Sequence, residues 1–495
     1  MSILQYFVVA LPCFLLFLLF LRRDLISTSY WYKRNRALSK IPGPKLASIT
    51  RLWILKSVYY YGFAEKCVGS IVRIGPNHVL ISDPADIRKV LAVGSSYTRG
   101  PWFDALKLHH DETNIVCERE PKRHQQKRNI LSYGLLGKHS QNLEPTIDFH
   151  VREWIKQLGG RCTLETAVPF DVMTTFRFLA VDVLSHLALG KPFGSLKVNK
   201  DVHKFISIFE AGTRVQTCLS VLPELKSVLV MLSRIPLLGG YLAPSPGDGS
   251  PIGHVLTVIQ DVVKDKFAER GPKIEMLDAF IARGLAEKDA MEELLIIMSA
   301  GVETTTTAVK AILFLILKTP GVMLKLQKEI DEVILKDSTI PIKETTLHNM
   351  PYFQACISEG LRMYPPSFQL RERMTPPSGD QLGDYFIPGG TFIGINSKGV
   401  QLTNVVGEDP NSFRPERWLV NDKEQLAQMG RNLELVFNYG STKCLGMNIA
   451  LMELDKVVFE LFRNFNIKLA CKARGVETIP RELLLQIDLK SVKKT

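Results

Sequence analysis

The pattern of apolar and polar positions divides the chain into three regions. Residues Ile3 to Leu21 are almost entirely apolar, about the length that crosses a bilayer. From Gly69 to Leu91, short β-rich runs alternate with turn signals and predict a small sheet. Between Leu143 and Lys336, apolar residues recur mainly at helical spacing. The sequence therefore predicts a mainly α protein with a small β-sheet region, preceded by one N-terminal transmembrane helix.

The flanks of the apolar run indicate a retained anchor rather than a signal peptide. No positive charge precedes it, and no small-residue cleavage site follows it. Arg22 and Arg23 come directly after it, and the positive-inside rule places that side in the cytosol. We expect an anchor at 1–24, a basic linker and proline-rich hinge at 25–44, and a globular domain at 45–495.

Charge and cysteine usage narrow the class of protein. The net charge of +12 and the pI of about 9.2 suit nucleic acid, an anionic membrane or an acidic protein partner. Zinc-finger spacing and aromatic-rich basic modules are missing from the sequence, so we expect no nucleic-acid partner. The 8 cysteines are far apart and form no CxxC, which indicates thiols in a reducing compartment.

One cysteine lies in a short loop bounded by two glycines. Cys444 follows Gly440 and precedes Gly446, and a helix is predicted over Met447–Phe462. Unpaired amides and the dipole at a helix start favour an anion, so a thiolate here would be stabilised. A thiolate can hold a soft or borderline metal. The alternative is that Cys444 is a small buried hydrophobe, which free cysteine usually is.

An acid and a run of threonines interrupt a long apolar helix predicted over residues 292–317. Ala300-Gly301 is followed by Glu303 and by threonine at 304–307. Such residues lower helix propensity and bury polar groups. Threonine can bond back to a carbonyl of the previous turn, which predicts a local widening of the helix. The alternative is a polar seam packed against another helix.

A third motif combines an acid with two arginines. Glu359 and Arg362 are three residues apart, so they lie on one helix face where they can pair. Arg417, within Pro415-Glu-Arg-Trp418, offers a second arginine. We expect the three side chains to form a buried, bidentate network.

Together these motifs resemble a known family. The glycine loop of Cys444, the Ala300–Thr304 segment, Glu359-x-x-Arg362 and Pro415–Trp418 occur in the order and spacing of the cytochrome P450 haem-thiolate monooxygenases. The resemblance covers essentially residues 1 to 495. It is greatest to the fungal microsomal branch that includes pisatin demethylase, and it implies a cytochrome P450 fold.

The resemblance assigns the cysteine loop to haem b. Cys444 would be the axial thiolate ligand of the haem iron. Phe437 would pack on the cysteine side of the haem, and backbone amides near Gly446 would hydrogen-bond the sulfur. Gly440 and Gly446 would let the loop approach the flat cofactor.

The long helix would cover the opposite haem face. Ala300 and Gly301 would let the helix pass close to the cofactor. Glu303 and Thr304 would be an acid–alcohol pair that relays protons to the site of oxygen chemistry. Glu359, Arg362 and Arg417 would lock the fold behind the cysteine loop.

The chain departs from the family where a haem propionate is usually bound. Thr442 stands in place of the family's arginine, and Lys443 follows it. Upstream, His124 and Arg128 are four residues apart, so they share a helix face and either can bind a propionate. The alternative is that residues 122–128 form a solvated basic face.

Substrate contacts are expected from position alone, each with ordinary core packing as the alternative. They are Leu294, Met298, Val302, Phe368, Leu370 and the aromatic loop Tyr97–Phe103.

The implied function is a monooxygenase that inserts one oxygen atom from dioxygen into an apolar molecule, in fungal secondary metabolism of the terpenoid or polyketide type. Electrons would come from NADPH through a separate flavoprotein reductase, with cytochrome b5 as a further partner. The protein would be single-pass in the endoplasmic reticulum membrane, its catalytic domain facing the cytosol. The rivals are a haem-thiolate isomerase or dehydratase that needs no dioxygen, and a non-catalytic haem sensor.

Overall fold

The computed structural model describes residues 36–59, 69–107, 113–136, 142–164, 169–233, 244–268, 275–367, 370–470 and 483–490. The predicted anchor at 1–24 and most of the linker lie outside these residues. The chain divides into two units. The first comprises residues 1–105, 214–226 and 368–400, and the second comprises 106–213, 227–367 and 401–495.

Helices predominate along the described residues. In chain order the α-helices are α1 Leu52–Tyr59, α2 Pro84–Leu91, α3 Pro121–Leu135, α4 Leu143–Leu164, α5 Val172–Leu189, α6 Ser195–Val198, α7 Phe205–Val221, α8 Pro223–Ser233, α9 Pro251–Ala268, α10 Met276–Ala282, α11 Glu287–Lys318, α12 Pro320–Lys336, α13 Glu344–His348, α14 Pro351–Met363, α15 Ser397–Val400, α16 Lys423–Glu434 and α17 Met447–Asn464.

The strands are short. They are β1 Ile71–Gly75, β2 His78–Ile81, β3 Thr98–Arg99, β4 Phe170–Asp171, β5 Arg373–Met374, β6 Asp380–Leu382, β7 Tyr385–Ile387, β8 Phe392–Ile395, β9 Phe465–Leu469 and β10 Leu484–Leu489. The prediction of a mainly α protein with a small sheet region is confirmed.

The first unit is built on a five-stranded sheet with the order β1-β2-β8-β5-β3. β2 and β8 run parallel, with Val79 opposite Ile393, and the other neighbours are antiparallel. All residues of β1 and β2 are buried, which their apolar runs predict. The sheet predicted between Gly69 and Leu91 is therefore present, and distant strands complete it.

The second unit is organised around α11. This helix packs against α5, α9, α14 and α17, so most of its surface is enclosed. Its fully buried side chains include Leu294, Met298 and Val302. A small sheet with the order β4-β10-β9 also belongs to this unit. The long central helix determines which side chains face the candidate site.

Two predictions about α11 need correction. The helix begins at Glu287, so it is longer at its N-terminal end than predicted. The expected widening is absent, because α-helix continues without a break from 287 to 318. Thr304, Thr306 and Thr307 each donate to the carbonyl four residues earlier, at 2.7–2.8 Å, without interrupting it. A hydroxyl back-bond therefore adds to the regular helical bonds here.

Two of the described helices are apolar and long enough to cross a bilayer, α5 and α11. Their apolar windows are 83% and 61% buried within the protein, as expected of core helices. By contrast, α8 has no buried residue, although its sequence is rich in valine and leucine.

Candidate active site

The cysteine loop lies directly before α17 and is closed by a backbone hydrogen bond. The Cys444 amide donates to the carbonyl oxygen of Phe437 at 2.8 Å. Gly440 has a left-handed backbone, with φ of 59°, a conformation that glycine adopts without steric cost. Gly446 caps α17, and Cys444 is exposed. The alternative that Cys444 is a buried hydrophobe is therefore wrong.

Arg128 of α3 reaches the cysteine loop. Its Nη1 donates to the carbonyl oxygen of Lys443 at 2.8 Å. Burial lowers the pKa of the Arg128 guanidinium, and the nearby Cys444 acts in the opposite direction. His124, one turn earlier on α3, is also buried. The alternative of a fully solvated basic face thus fails for these two residues.

The Lys443 side chain points elsewhere. Its Nζ lies 3.4 Å from Oε2 of Glu434, in a pair whose side chains are 36% and 58% exposed. The Thr442 hydroxyl donates to the carbonyl oxygen of Tyr439 at 3.0 Å. This arrangement does not support the predicted propionate contact of Lys443, because its ammonium group is engaged at the surface.

One face of α11 is open although the helix is otherwise enclosed. Ala300 is exposed, and Thr304 one turn later is partly exposed. The Thr304 hydroxyl donates to the Ala300 carbonyl oxygen at 2.7 Å. Residues four apart on a helix lie on one face, so Ala300 and Thr304 form a short open stripe.

Gly301 lies at the contact between α11 and α5. A Cβ atom at this position would lie 2.6 Å from Cδ1 of Leu184 on α5. Gly301 thus packs closely against α5, and a larger residue here would require the Leu184 side chain to move. The expectation that Gly301 brings α11 close to the cofactor is not supported by this contact.

Glu303 lies beside the open stripe among charged side chains. Burial raises the pKa of the Glu303 carboxyl, Arg177 lowers it and Glu210 raises it further, so the net pKa is above the ordinary value. Nη1 of Arg177 lies 3.6 Å from Oε2 of Glu210, which is partly exposed. The charges of Arg177 and Glu210 thus act on the Glu303 carboxyl.

The expected substrate contacts on α11 belong to its core face. Leu294, Met298 and Val302 are at most 1% exposed. With 100° of rotation per residue, Met298 and Val302 point away from the stripe of Ala300 and Thr304, and Leu294 lies about 100° to one side of it. Of the other expected contacts, Phe368 lies outside the described residues.

Glu359, Arg362 and Arg417 meet in a buried network. Nε and Nη2 of Arg362 donate to the two carboxylate oxygens of Glu359 at 2.8 and 2.9 Å. Nε of Arg417 donates to Oε1 at 2.8 Å, and Nε1 of Trp418 donates to Oε2 at 2.9 Å. The sequence spacing thus places a bidentate pair on α14, and the segment 414–419 supplies the remaining donors.

The same network binds the backbone that precedes the cysteine loop. Nη1 of Arg362 donates to the Gln401 carbonyl oxygen at 3.0 Å, and Nη1 of Arg417 donates to that of Val406 at 2.7 Å. Burial would raise the pKa of Glu359, but the bonds from the arginines hold it below its ordinary value. The carboxylate is therefore kept ionised as the centre of this network.

The residues present fit a haem group. Among the described residues no cluster of three or more His, Cys, Asp and Glu side chains can hold a metal ion. A metal at Cys444 would thus have one protein ligand, which suits an iron held by a macrocycle. A Cβ atom at Gly446 would meet no described atom within 4 Å, so the loop is open beside the thiol.

Two groups of buried charges lie outside the residues that the sequence motifs single out. Burial, together with Arg99 and Arg371, lowers the pKa of Arg373 in the first unit to about 9. In the second unit, Glu292 and Glu293 of α11 are almost fully buried. The signal for the latter was two adjacent acids at the start of an apolar helix, a position that usually requires a partner.

Comparison with known proteins agrees with this site. The family model described as Cytochrome P450 matches residues 60–493. Cytochrome P450 monooxygenase ABA1 of Pyricularia oryzae is 34% identical over 463 residues, covering 89% of each chain. Cytochrome P450 monooxygenase aba1 of Botryotinia fuckeliana is 30% identical over 467 residues, covering 91% of each chain.

A more distant relative is Benzoate 4-monooxygenase bphA of Aspergillus niger, 26% identical over 468 residues, covering 88% of this chain and 89% of the relative. These relatives are fungal proteins named as monooxygenases. The chain therefore belongs to the cytochrome P450 family, the haem monooxygenases that incorporate an oxygen atom from dioxygen.

Proposed function

We propose that this protein oxidises an apolar organic molecule in fungal secondary metabolism, using electrons that NADPH supplies through a separate flavoprotein reductase. The observation that carries the proposal is the pairing, within one unit, of an exposed cysteine at a helix start with an open stripe of α11 next to a buried acid. Bound haem would supply the activation of dioxygen, and thiolate ligation favours cleavage of the O–O bond.

On the cysteine side, the chain would hold the thiolate in place. Cys444 precedes the first turn of α17, where the helix dipole favours negative charge. The loop bond between Cys444 and Phe437 fixes the backbone that presents the sulfur. Arg128, bound to the Lys443 carbonyl, adds a positive charge nearby and is the candidate partner for a haem propionate. His124 is the second candidate on the same helix face.

On the α11 side, the chain would deliver protons. Burial raises the pKa of Glu303, so its carboxyl can take up and release a proton closer to neutral pH. The Thr304 hydroxyl donates to the Ala300 carbonyl oxygen, and its own oxygen remains able to accept a hydrogen bond. Arg177 and Glu210 would connect Glu303 with solvent. This relay supports an oxygen-dependent reaction over an isomerase.

The electron donor would dock on a basic surface. Lys122 and Arg123 at the start of α3 are exposed, and Lys443 is partly exposed. These charges suit an acidic reductase, and cytochrome b5 would compete for the same surface. Residues 1–24 would anchor the protein in the endoplasmic reticulum membrane, with the catalytic domain in the cytosol.

The substrate would be apolar, of the terpenoid or polyketide type. Ala300 and Thr304 offer a small methyl and a hydroxyl, which leave room for a bulky skeleton. The name of the Aspergillus niger relative contains benzoate, so an aromatic acid is the second substrate class to examine.

The test is turnover with labelled oxygen. Membranes from a yeast that co-expresses the chain with a reductase would receive NADPH, ¹⁸O₂ and candidate substrates. We expect consumption of NADPH coupled to a product that carries one ¹⁸O atom. An unlabelled product formed without NADPH would indicate the isomerase or dehydratase, and haem binding without any turnover would indicate the sensor.

A further inference from the structure

Two adjacent carboxylates near the N-terminal end of α11 have no part in the proposed relay. Glu292 is 1% exposed and Glu293 is 0% exposed. Glutamate is almost never fully buried unless it is paired. The hydrogen-bond partners of Glu292 and Glu293 therefore indicate which segments of the chain the two carboxylates hold in place.

Glu293 bridges two separate segments. Its Oε1 accepts a hydrogen bond from Nζ of Lys127 on α3 at 2.9 Å, and its Oε2 accepts one from the Ile115 amide at 2.9 Å. Beside it, Oε2 of Glu292 accepts from Nδ2 of Asn114 at 3.4 Å. The two acids thus fasten both α3 and the segment that precedes it to α11.

The fastened segment is itself preformed. Oδ1 of Asn114 accepts from the amides of Val116 and Cys117, both at 3.0 Å. Nδ2 of Asn114 also donates to the carbonyl oxygen of Leu106 at 3.2 Å. The Asn114 side chain closes the turn and keeps residues 114–117 together. The Glu293 carboxylate, which binds the Ile115 amide, can therefore position the whole turn.

Glu293, with its bonds to Lys127 and the Ile115 amide, forms a clamp. Helix geometry places this clamp in line with the open stripe. Ala300 and Thr304 follow Glu293 by seven and eleven residues, which returns to the same face of an α-helix within about 20°. The rise of about 1.5 Å per residue separates Glu293 from Ala300 by about 10 Å. Ile297, which lies between them, is partly buried. Glu293 therefore lies on the helix face of Ala300 and Thr304, about two turns before Ala300, and the Ile115 amide is bonded to it there.

The clamp also connects to the cysteine loop through α3. Lys127, which binds Glu293, is followed by Arg128, which binds the Lys443 carbonyl oxygen. One helix is thus tied to α11 by one residue and to the cysteine loop by the next. These two bonds fix the position of α3 relative to α11 and to the cysteine loop, the two elements that would enclose the cofactor.

We propose that Glu293 is a positioning residue: its carboxylate, bridging Lys127 and the Ile115 amide, holds Ile115 and Val116 as an apolar wall of the substrate site. The wall restricts the length of the apolar ligand that fits along α11. This inference rests on the proposed function, because it takes the stripe of Ala300 and Thr304 as the face toward the substrate.

The first test measures the clamp without catalysis. Haem-loaded Glu293→Leu removes both acceptor oxygens, whereas Glu293→Gln keeps one acceptor for the Ile115 amide. We expect hydrogen exchange in the peptide covering residues 113–118 to be at least about tenfold faster in Glu293→Leu, and less accelerated in Glu293→Gln. Wild-type exchange in Glu293→Leu would overturn the proposal.

A matched control is Asp289→Asn. Asp289 lies one turn earlier on α11, 3.8 Å from the same Lys127, and its side chain is 36% exposed. Because Asp289 is no acceptor for the Ile115 amide, we expect wild-type exchange in this variant. Exchange as fast in Asp289→Asn as in Glu293→Leu would overturn the assignment to Glu293.

The second test asks whether the wall of Ile115 and Val116 contacts a bound ligand. It compares the affinities of two probes that bind the haem iron. Imidazole is small, whereas 4-biphenylimidazole carries an apolar group that extends away from the iron. We expect Glu293→Leu to weaken the binding of 4-biphenylimidazole about tenfold, read from the haem absorbance shift, and to leave imidazole binding unchanged. Equal affinity of Glu293→Leu and wild type for both probes would overturn the proposal.

The outcomes separate this inference from the proposed function. If Glu293→Leu yields no haem-loaded protein, Glu293→Gln decides, because its neutral amide oxygen accepts from the Ile115 amide more weakly than a carboxylate does: exchange faster than wild type supports the clamp, and wild-type exchange overturns it. A wild-type protein without the red-shifted reduced carbon monoxide band would refute thiolate ligation, while the exchange comparison would still test the clamp.

Discussion

The network around Glu359 makes the sharpest prediction about stability. Five hydrogen bonds converge on this carboxylate, from Nε and Nη2 of Arg362, the Arg414 amide, Nε of Arg417 and Nε1 of Trp418. Glu359→Gln replaces one acceptor oxygen with an amide nitrogen that faces donors. It also leaves two buried guanidinium groups without their carboxylate.

The expected cost follows from burial. The side chains of Glu359, Arg362 and Arg417 are at most 2% exposed, so solvent does not screen their charges. Removing one partner of such a pair costs about 3–5 kcal/mol. Glu416 is the matched control in the same motif, because its pair with Lys325 is 39% and 60% exposed. We expect Glu416→Gln to cost about 1 kcal/mol.

The assay is urea denaturation of haem-loaded protein, followed by helical circular dichroism and by the red-shifted band of the reduced carbon monoxide complex. Both midpoints should fall clearly in Glu359→Gln and only slightly in Glu416→Gln. Equal midpoints for Glu359→Gln and wild type would show that the network contributes no net stability, against the reasoning from burial.

The pH dependence of this contribution has a defined sign. The folded protein holds the pKa of Glu359 below its ordinary value of 4.5. The stabilisation is therefore fully present above pH 4.5 and is lost as the pH falls through the lower folded pKa. The midpoint difference between wild type and Glu359→Gln should shrink as the pH is lowered through this window.

The remaining predictions concern the cofactor and one buried acid. Cys444→Ser should abolish the red-shifted band of the reduced carbon monoxide complex; an unchanged spectrum would refute thiolate ligation. Thr304→Ala should retain haem but divert electrons from product to peroxide, and wild-type coupling would remove Thr304 from the relay. Arg128→Ala should lose haem on gel filtration, whereas Lys443→Ala should retain it because its side chain pairs with a surface acid. The reverse order would contradict the propionate assignment. Burial raises the pKa of Glu453 on α17 from 4.5 to about 8. The folded state then holds a proton that the unfolded chain releases, so stability should fall from pH 4.5 to about 8. Glu453→Gln should flatten that slope in urea midpoints, and an unaltered slope would contradict the assignment.

Local patterns in the sequence were enough to predict the helices and the motifs within them. The spacing of Glu359 and Arg362 puts both on one face of α14, and the glycines around Cys444 indicate a loop before a helix. These features depend on residues close in sequence, so the periodicity and the special backbone of glycine suffice to predict them.

Contacts between side chains of separate elements could not be predicted from these local patterns. The sequence alone allowed Lys443 or Arg128 to bind a propionate, and the fold engages the Lys443 ammonium with Glu434. The family resemblance placed Gly301 beside the cofactor, and the fold also packs it against Leu184 of α5. In both cases the contact depends on how separate elements pack, which local sequence patterns do not specify.

The sequence by itself determined the family, the cysteine that would bind the iron, and the acid–alcohol pair, because each is a short motif in a fixed order. Only the tertiary structure decided which face of α11 is open and which acids it buries. The reason is physical: exposure and pairing arise from the packing of helices brought together by folding. Glu293 is the clearest case, since its two partners, Lys127 and the Ile115 amide, lie far from it in sequence.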